Sequence, residues 1–127
     1  MTRLKTEVRA AALLRRAQVA GAYAAVLRRG DPDAGELWVI LRKGAELFRY
    51  TEVMGMSGTR EWYQDGPFDE ADIQLKTNKA VDRDPDLWIV EIEDGQGRVF
   101  LDGEISKPLS KRESDAESAA KALFRGR

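Results

Sequence analysis

Apolar residues near the start of the chain recur at the spacing of an α-helix. One face of this helix carries four of them at intervals of three and four residues, namely Ala10, Leu13, Leu14 and Ala17. Thr6 is a suitable N-cap residue and Gly21 ends the pattern, so we predict a helix over residues 6–20. A second side carries three more apolar residues, namely Val8, Ala11 and Val19. Apolar residues on two sides predict that the helix is covered on more than one side.

Two apolar runs follow, at residues 24–27 and 37–41, and a cluster of turn-forming residues separates them. Within this cluster, Pro32 suits the second position of a type I turn and Gly35 accepts a positive φ. We therefore predict a β-hairpin over residues 24–42. The second run does not alternate apolar and polar residues, which is typical of a strand buried on both faces near the middle of a sheet.

Alternation of apolar and polar residues then predicts a half-buried third strand over residues 47–53. Trp62 and Tyr63 predict a short fourth strand. We expect Gly66-Pro67 to end this strand.

A second helix is predicted from Asp69, its N-cap, to about residue 81, because acids fill its first turn. The strand that follows, over residues 87–93, has one apolar face made of Trp88, Val90 and Ile92. Residues 94–97 have the composition of a hairpin turn, so we predict a last strand over residues 98–101.

The residue pattern near the end of the chain predicts one more helix. Ser110 begins a capping box, and apolar residues follow at helical spacing, namely Ala116, Ala119, Ala120, Leu123 and Phe124. We predict an α+β fold in the order α-β-β-β-(β)-α-β-β-α, with an antiparallel sheet and helices packed mainly on one face. Residues 1–103 form a single domain in this interpretation, and residues 104–127 form a tail.

Composition limits the chemistry of the chain. Its 127 residues include neither cysteine nor histidine, which excludes disulfides, thiolate nucleophiles, and the commonest general base and metal ligand. We predict no cofactor, no metal and no catalytic residue. The sequence has no apolar run of about 18 residues and no charged-then-apolar leader, so we expect no membrane span, no signal peptide and a cytoplasmic location.

The net charge of −1 conceals an uneven distribution. Residues 1–30 carry a net charge of +6, residues 31–104 carry −10 and residues 105–127 carry +3. Five arginines of the basic region are candidates for binding a protein or an anionic ligand, namely Arg9, Arg15, Arg16, Arg28 and Arg29. Lys5, Arg9 and Arg16 share a polar arc of the first helix. Such an arc is also typical of the solvent-exposed face of a packed helix, without any binding function. We expect some of the arginines to pair with acids of residues 82–94.

Two acidic loops are the other candidate site, and their carboxylates are Asp31, Asp33, Asp84 and Asp86. The D-x-D-x-D spacing at 82–86 resembles the start of a calcium loop, but Leu87 stands where such a loop needs glycine. We predict that most of these side chains accept hydrogen bonds from local backbone N–H groups or bond nearby arginines. The sequence leaves open whether the two loops gather their carboxylates at one sheet edge.

Three segments together resemble a known family, namely ALLRR at 12–16, RRGD-x-DAG at 28–35 and DPDLWIVEIED at 84–94. The family consists of small bacterial proteins known only as domain of unknown function 1491, and the resemblance covers about residues 3–102. It implies a bacterial, cytoplasmic, single-domain protein. It assigns no activity and no catalytic residue.

Three functions are consistent with these patterns. The first is a non-catalytic binding or regulatory module, whose unknown protein or anionic partner meets the basic first helix and hairpin; we favour it because catalytic signatures are lacking. The second is nucleic-acid binding through the same arginines, which the sequence pI near 5.6 and the acidic middle region oppose. The third is a small enzyme that uses paired carboxylates, with or without a metal. The oligomeric state stays open.

Overall fold

The computed structural model of the chain describes residues 4–54, 58 and 60–106. In order, its helices and strands are α1 (Thr6–Val19), β1 (Tyr23–Arg28), β2 (Leu37–Lys43), β3 (Glu46–Met54), β4 (Arg60–Phe68), α2 (Glu70–Arg83), β5 (Trp88–Glu93) and β6 (Glu104–Ser106). The predicted α+β class is confirmed. The predicted helix at 110–124 lies outside the described residues.

The strands form one mixed sheet in the order β1-β5-β2-β3-β4-β6. The pairs β2/β5 and β4/β6 are parallel, and the other neighbouring pairs are antiparallel. The sheet is therefore mixed, whereas the sequence predicted an antiparallel sheet. Parallel pairing needs a long crossover, and β3, β4 and α2 provide it between β2 and β5.

The hairpin predicted over residues 24–42 is wrong, because β5 lies between its two strands. Ala24 of β1 pairs with Ile92, whereas Leu37 of β2 pairs with Trp88. β5 buries Trp88, Val90 and Ile92 on one face and Ile89 on the other, and a strand with buried residues on both faces is most stable with a neighbour on each side. Turn residues show that the chain changes direction, but they do not show which strands then pair.

The loop between β1 and β2 crosses the start of β5 and is bonded to it. The Asp31 N–H donates to the Asp86 carbonyl at 3.0 Å, and the Trp88 indole Nε1 donates to the Asp31 carbonyl at 2.7 Å. A Cβ atom at Gly30 or Gly35 would overlap the Asp86 carbonyl oxygen. These two positions therefore need glycine because the backbones approach so closely.

The two helices lie on opposite faces of the sheet, rather than mainly on one. One core contains Ala10, Leu13 and Ala17 of α1 together with Val39, Tyr50, Trp62, Trp88 and Val90. The other contains Ile73 and Ala80 of α2 together with Trp38, Ile40, Leu47 and Ile89. β2 contributes alternate residues to both cores, which confirms the prediction that it is buried on both faces. A strand of this kind requires a cover on each side.

The two helix starts use different capping. The Asp69 carboxylate accepts from the Asp72 N–H at 2.8 Å, so its predicted role as the N-cap of α2 is confirmed. Thr6 is not the N-cap of α1. Its buried hydroxyl donates to the Gly35 carbonyl at 2.6 Å, and the first N–H groups of α1 donate to the carbonyls of Asp33 and Pro32. The β1–β2 loop therefore caps α1 with backbone groups.

Two other strand predictions need correction. β4 is nine residues long and continues through Gly66-Pro67, with an irregular register opposite Leu47 and Arg49. Residues 98–101 are not a strand, because β5 already has β1 and β2 as neighbours and offers no free edge. The chain instead follows the end of α1, where Arg98 donates to the Ala20 carbonyl, and the last strand is β6, which pairs with β4.

Trp38 and Trp88 are core residues, and their exposed fractions are 6% and 1%. We expect Trp88→Ala to lower the free energy of unfolding by about 3–5 kcal/mol in urea denaturation, because it leaves a cavity and removes the bond to Asp31. Tyr23→Ala is the control, since Tyr23 is an exposed aromatic residue on β1. It should change the free energy by no more than about 0.5 kcal/mol. Equal effects of the two substitutions would contradict the described core.

The turn after β5 predicts that the free energy of unfolding depends on pH in the acid range. Hydrogen bonds from the Arg98 side chain and backbone lower the pKa of Asp94 from 3.8 to about 2. A lowered pKa stabilises the folded chain above the ordinary pKa, and this stabilisation is lost as the pH falls from about 4 towards 2. Asp94→Asn should remove that part of the pH dependence of unfolding, whereas Asp82→Asn, at an exposed position on α2, should keep it. Parallel stability curves for wild type and Asp94→Asn would contradict this assignment.

Candidate functional site

The outward side of α1 carries apolar residues that none of the described residues covers. Leu4, Val8 and Val19 are 64%, 47% and 77% exposed, and Ala11 and Arg15 are also exposed between them. Val8, Ala11, Arg15 and Val19 recur at intervals of three and four within α1, so these four residues form one stripe opposite the buried face, whereas Leu4 precedes the helix. We call this stripe the outer surface of α1. The prediction that α1 is covered on more than one side is therefore not met by the described part of the chain.

Basic side chains surround the outer surface of α1. Arg15 lies within the stripe, and Lys5, Arg16 and Arg29 lie beside it. Lys5 is 3.5 Å from Asp33, and Arg29 is 3.4 Å from Glu7, with all four side chains more than half exposed. Exposed ion pairs contribute only about 0–1 kcal/mol. The carboxylates of a partner protein can therefore replace Asp33 and Glu7 in these ion pairs at a low cost in free energy.

The structure separates the five predicted arginines. Arg15 and Arg16 lie on the outside of α1, and Arg29 is close to its first turn, above the Trp88 ring at 5.0 Å. Arg28 lines a cavity of about 240 Å³ on the α2 side of the sheet and donates to the Pro85 carbonyl at 2.9 Å. Arg9 is buried. Among the described residues, the acids that pair with these arginines are Glu7, Glu52 and Asp102, not those of residues 82–94.

Arg9 belongs to a closed ring of four charges on the inner side of α1. Its Nη1 is 2.9 Å from Glu52, whose other oxygen is 3.1 Å from Arg60. Asp102 closes the ring, at 3.5 Å from Arg60 Nη1 and 3.9 Å from Arg9 Nε. The alternating signs allow each charge to face two opposite charges, which compensates for its removal from water.

The charge ring lies on Trp62, the central aromatic residue of this end of the core. The Arg9 guanidinium is 5.8 Å from the centre of the Trp62 ring, and the Trp62 indole donates to Asp102 at 3.3 Å. These contacts fasten the segment before β6 to α1 and to the sheet. Sequence reasoning did not find Glu52, Arg60 and Asp102, because residues so far apart in the chain share no local spacing.

The two acidic loops meet through their backbones, while their side chains serve their own turns. The Asp31 carboxylate accepts from the N–H groups of Asp33 and Ala34 at 3.2 and 2.8 Å, and the Asp84 carboxylate accepts from Asp86 at 3.1 Å. These are local roles that the sequence predicted. Within residues 4–54, 58 and 60–106, no group of three or more carboxylates is placed to hold a metal ion.

The described residues form a small α+β domain with a mixed six-stranded sheet and one helix on each face. A family model described as "Protein of unknown function (DUF1491)" matches residues 4–102, so the chain belongs to the DUF1491 family. The resemblance identified from the sequence is thereby confirmed. No curated protein matches the chain.

Solved structures agree with this assignment. A crystal structure of a DUF1491 family protein from Caulobacter crescentus CB15 is 37% identical, with a TM-score of 0.76, and the match covers 82% of this chain and 100% of the other. An NMR structure of a DUF1491 family protein from the same organism is 36% identical, with a TM-score of 0.73, covering 84% and 99%. A solution structure of a protein from A. tumefaciens is 27% identical, with a TM-score of 0.66, covering 83% and 100%. Neither described helix is long and apolar enough to cross a membrane.

The charge ring gives a stability prediction. Glu52→Gln should lower the free energy of unfolding by about 3 kcal/mol, because it leaves the buried Arg9 without its closest counter-charge. Adding Arg9→Met should cost much less than it does in the wild type, since the charge that had lost its partner is removed as well. Urea denaturation of the two single variants and the double variant measures this coupling. Additive losses would show that Arg9 and Glu52 do not interact in solution.

Proposed function

We propose that the chain is a non-catalytic binding module, and that it binds an acidic segment of a partner protein on the outer surface of α1. The observation that carries this proposal is the exposed apolar stripe of Val8, Ala11 and Val19 around Arg15 on α1. The buried side of the same helix is fixed in the core by Leu13 and Ala17. A rigid helix with an uncovered apolar stripe suits a partner segment with matching apolar residues.

The charges of this region select the partner. On α1 and the residue before it, the exposed basic residues are Lys5, Arg15 and Arg16, against one exposed acid, Glu7. Arg15 lies between apolar neighbours, so a partner covering the stripe must supply a carboxylate or leave this guanidinium without a counter-charge. α1 has 14 residues and is about 21 Å long, so the interface is small and suits reversible binding.

The other two functions have less support. The carboxylates that an enzyme of this kind would use, above all Asp31 and Asp84, accept hydrogen bonds within their own loops. Nucleic-acid binding needs the arginines on one face, whereas Arg9 is buried and Arg28 lies on the α2 side of the sheet. We also propose that the protein is cytoplasmic and bacterial. The first point is based on the sequence features given above, and both are implied by the family resemblance.

The proposal is tested with a synthetic amphipathic peptide that has leucine and glutamate at helical spacing. Titration into the ¹⁵N-labelled chain should shift the amide signals of residues 4–19, and affinity should fall as salt screens the charges. Arg15→Glu should weaken binding by about tenfold or more, because it replaces attraction by repulsion. Arg83→Glu is the matched control, since Arg83 is an exposed arginine on α2.

Two results would contradict the proposal. One is a set of shifted signals outside α1 and its neighbours, or the absence of shifts at millimolar peptide. The other is equal weakening by Arg15→Glu and Arg83→Glu, which would show that only overall charge matters. Binding of single-stranded RNA in preference to the peptide would instead favour the nucleic-acid hypothesis.

A further inference from the structure

A cavity of about 240 Å³ lies between α2 and the sheet. α2 forms one wall, and residues of β1, β5, β2 and β3 form the others. Its volume is below the range of sites for drug-sized ligands, about 300–1,000 Å³, so a ligand that fills it must be small. Since α1 packs on the opposite face of the sheet, this cavity is separate from the outer surface of α1 and from the partner proposed there.

A β-bulge in β1 turns two consecutive side chains towards this cavity. Alternate residues of a regular strand point to opposite faces of a sheet, yet Leu27 and Arg28 both line the cavity. The register of β1 against β5 shifts between Val26 and Arg28, and Arg28 lies opposite Ile89. In a regular strand Arg28 would follow Val26 to the α1 face of the sheet. Bulges re-aim side chains in this way and are frequent next to active sites.

The bulge gives the cavity a positive charge that no described carboxylate compensates. Arg28 pairs with no acid among the residues that the structure describes. Its Nη2 donates to the Pro85 carbonyl at 2.9 Å, and its Nε is buried without a hydrogen-bond partner. Nη1 is neither buried nor bonded within the same residues, so its N–H groups can donate to a ligand oxygen. An anion at this nitrogen would supply the missing counter-charge.

Apolar surface lies next to this cation. Leu27 is 56% exposed, although it lines the cavity. Across the cavity, α2 contributes Ile73 and the half-buried Thr77 to the wall. An apolar group between Leu27 and α2 would be removed from water together with the Leu27 side chain, which favours binding.

The two acids of the cavity wall are engaged at its other end. Glu91 accepts from Arg42 Nε at 2.9 Å, and Glu70 pairs with Nη2 of the same guanidinium. Glu91 follows Ile89, the residue opposite Arg28, by two positions on β5, a distance of about 7 Å. Glu70 is 67% exposed, so water screens its charge. The remaining repulsion grows with the charge of the ligand and therefore favours a single carboxylate over a dianion.

We propose that this cavity binds a small monocarboxylate with a short apolar tail. The ligand carboxylate accepts from Nη1 of Arg28, and the tail lies between Leu27 and Thr77. A neutral molecule would leave Arg28 without a counter-charge, and an inorganic anion would leave Leu27 exposed.

The test titrates the ¹⁵N-labelled chain with pentanoate, and with acetate, pentanol and inorganic phosphate as controls. Millimolar pentanoate should shift the amide signals of Leu27, Arg28 and Thr77. Acetate should bind about tenfold more weakly or worse, because each methylene removed from water tightens binding by about threefold. Pentanol lacks the charge and phosphate lacks the tail, so both should also bind more weakly than pentanoate.

Two substitutions identify the residues that bind each part of the ligand. Arg28→Gln should weaken pentanoate binding by about tenfold or more, because it removes the counter-charge. Arg15→Gln, at an exposed arginine on α1, is the matched control and should have no effect. Leu27→Ala, at an exposed position, should weaken pentanoate binding by about threefold to tenfold and leave acetate binding unchanged.

The proposal is wrong if pentanoate leaves the signals of Leu27, Arg28 and Thr77 unchanged, or if acetate, pentanol or phosphate binds as tightly. Equal weakening by Arg28→Gln and Arg15→Gln would also contradict it. If Arg28→Gln does not fold, Leu27→Ala decides: a loss confined to pentanoate supports the proposal, and an equal loss for acetate, or no loss, overturns it.

Discussion

β5 contributes to the cores on both faces of the sheet, with Trp88, Val90 and Ile92 in one and Ile89 in the other, so it needs a strand on each side and a cover on each face. Its parallel pairing with β2 and antiparallel pairing with β1 satisfy the first requirement. The second is met because α1 and α2 lie on opposite faces of the sheet. Since β5 enters between β1 and β2, the loop that joins these strands must cross its start. This crossing is where Asp31, Trp88 and Asp86 are bonded to one another.

The same constraint determines which side of α1 is exposed to solvent. The crossing loop caps α1 with backbone carbonyls and holds its first turn against the sheet. Trp62 and the charge ring hold the inner side, where Arg9 lies between Glu52 and Asp102. The inner face of α1 is thereby packed against the sheet, with Arg9, Ala10, Leu13 and Ala17 all buried. The outer surface, with its apolar residues around Arg15, has no comparable contacts within the described residues, and this contrast supports our proposal that a partner binds there.

Local patterns in the sequence were sufficient to find both helices, the N-cap Asp69 and the doubly buried strand β2, because periodicity and capping depend on neighbouring residues. They were not sufficient to pair the strands. The residues around Pro32 and Gly35 do form a turn, but the residues that pair with β1 lie 61–70 positions further along the chain. Helical periodicity also placed Arg9 on a polar arc, although it is buried. A buried arginine needs counter-charges from elsewhere in the chain, and Glu52 and Asp102 cannot be recognised as its partners before the sheet is known.

Single-cysteine labelling tests most directly whether the outer surface of α1 is free for a partner. The chain has no cysteine, so Val8→Cys, Val19→Cys and the buried control Ala17→Cys each introduce one thiol. Thiols at 8 and 19 should react with a maleimide at the rate of an unstructured peptide, at every protein concentration, whereas the thiol at 17 should be strongly protected. Protection at 8 and 19 would contradict a free outer surface. Protection that grows with concentration would mean that a second copy covers the helix, and protection independent of concentration would mean that the chain covers it itself.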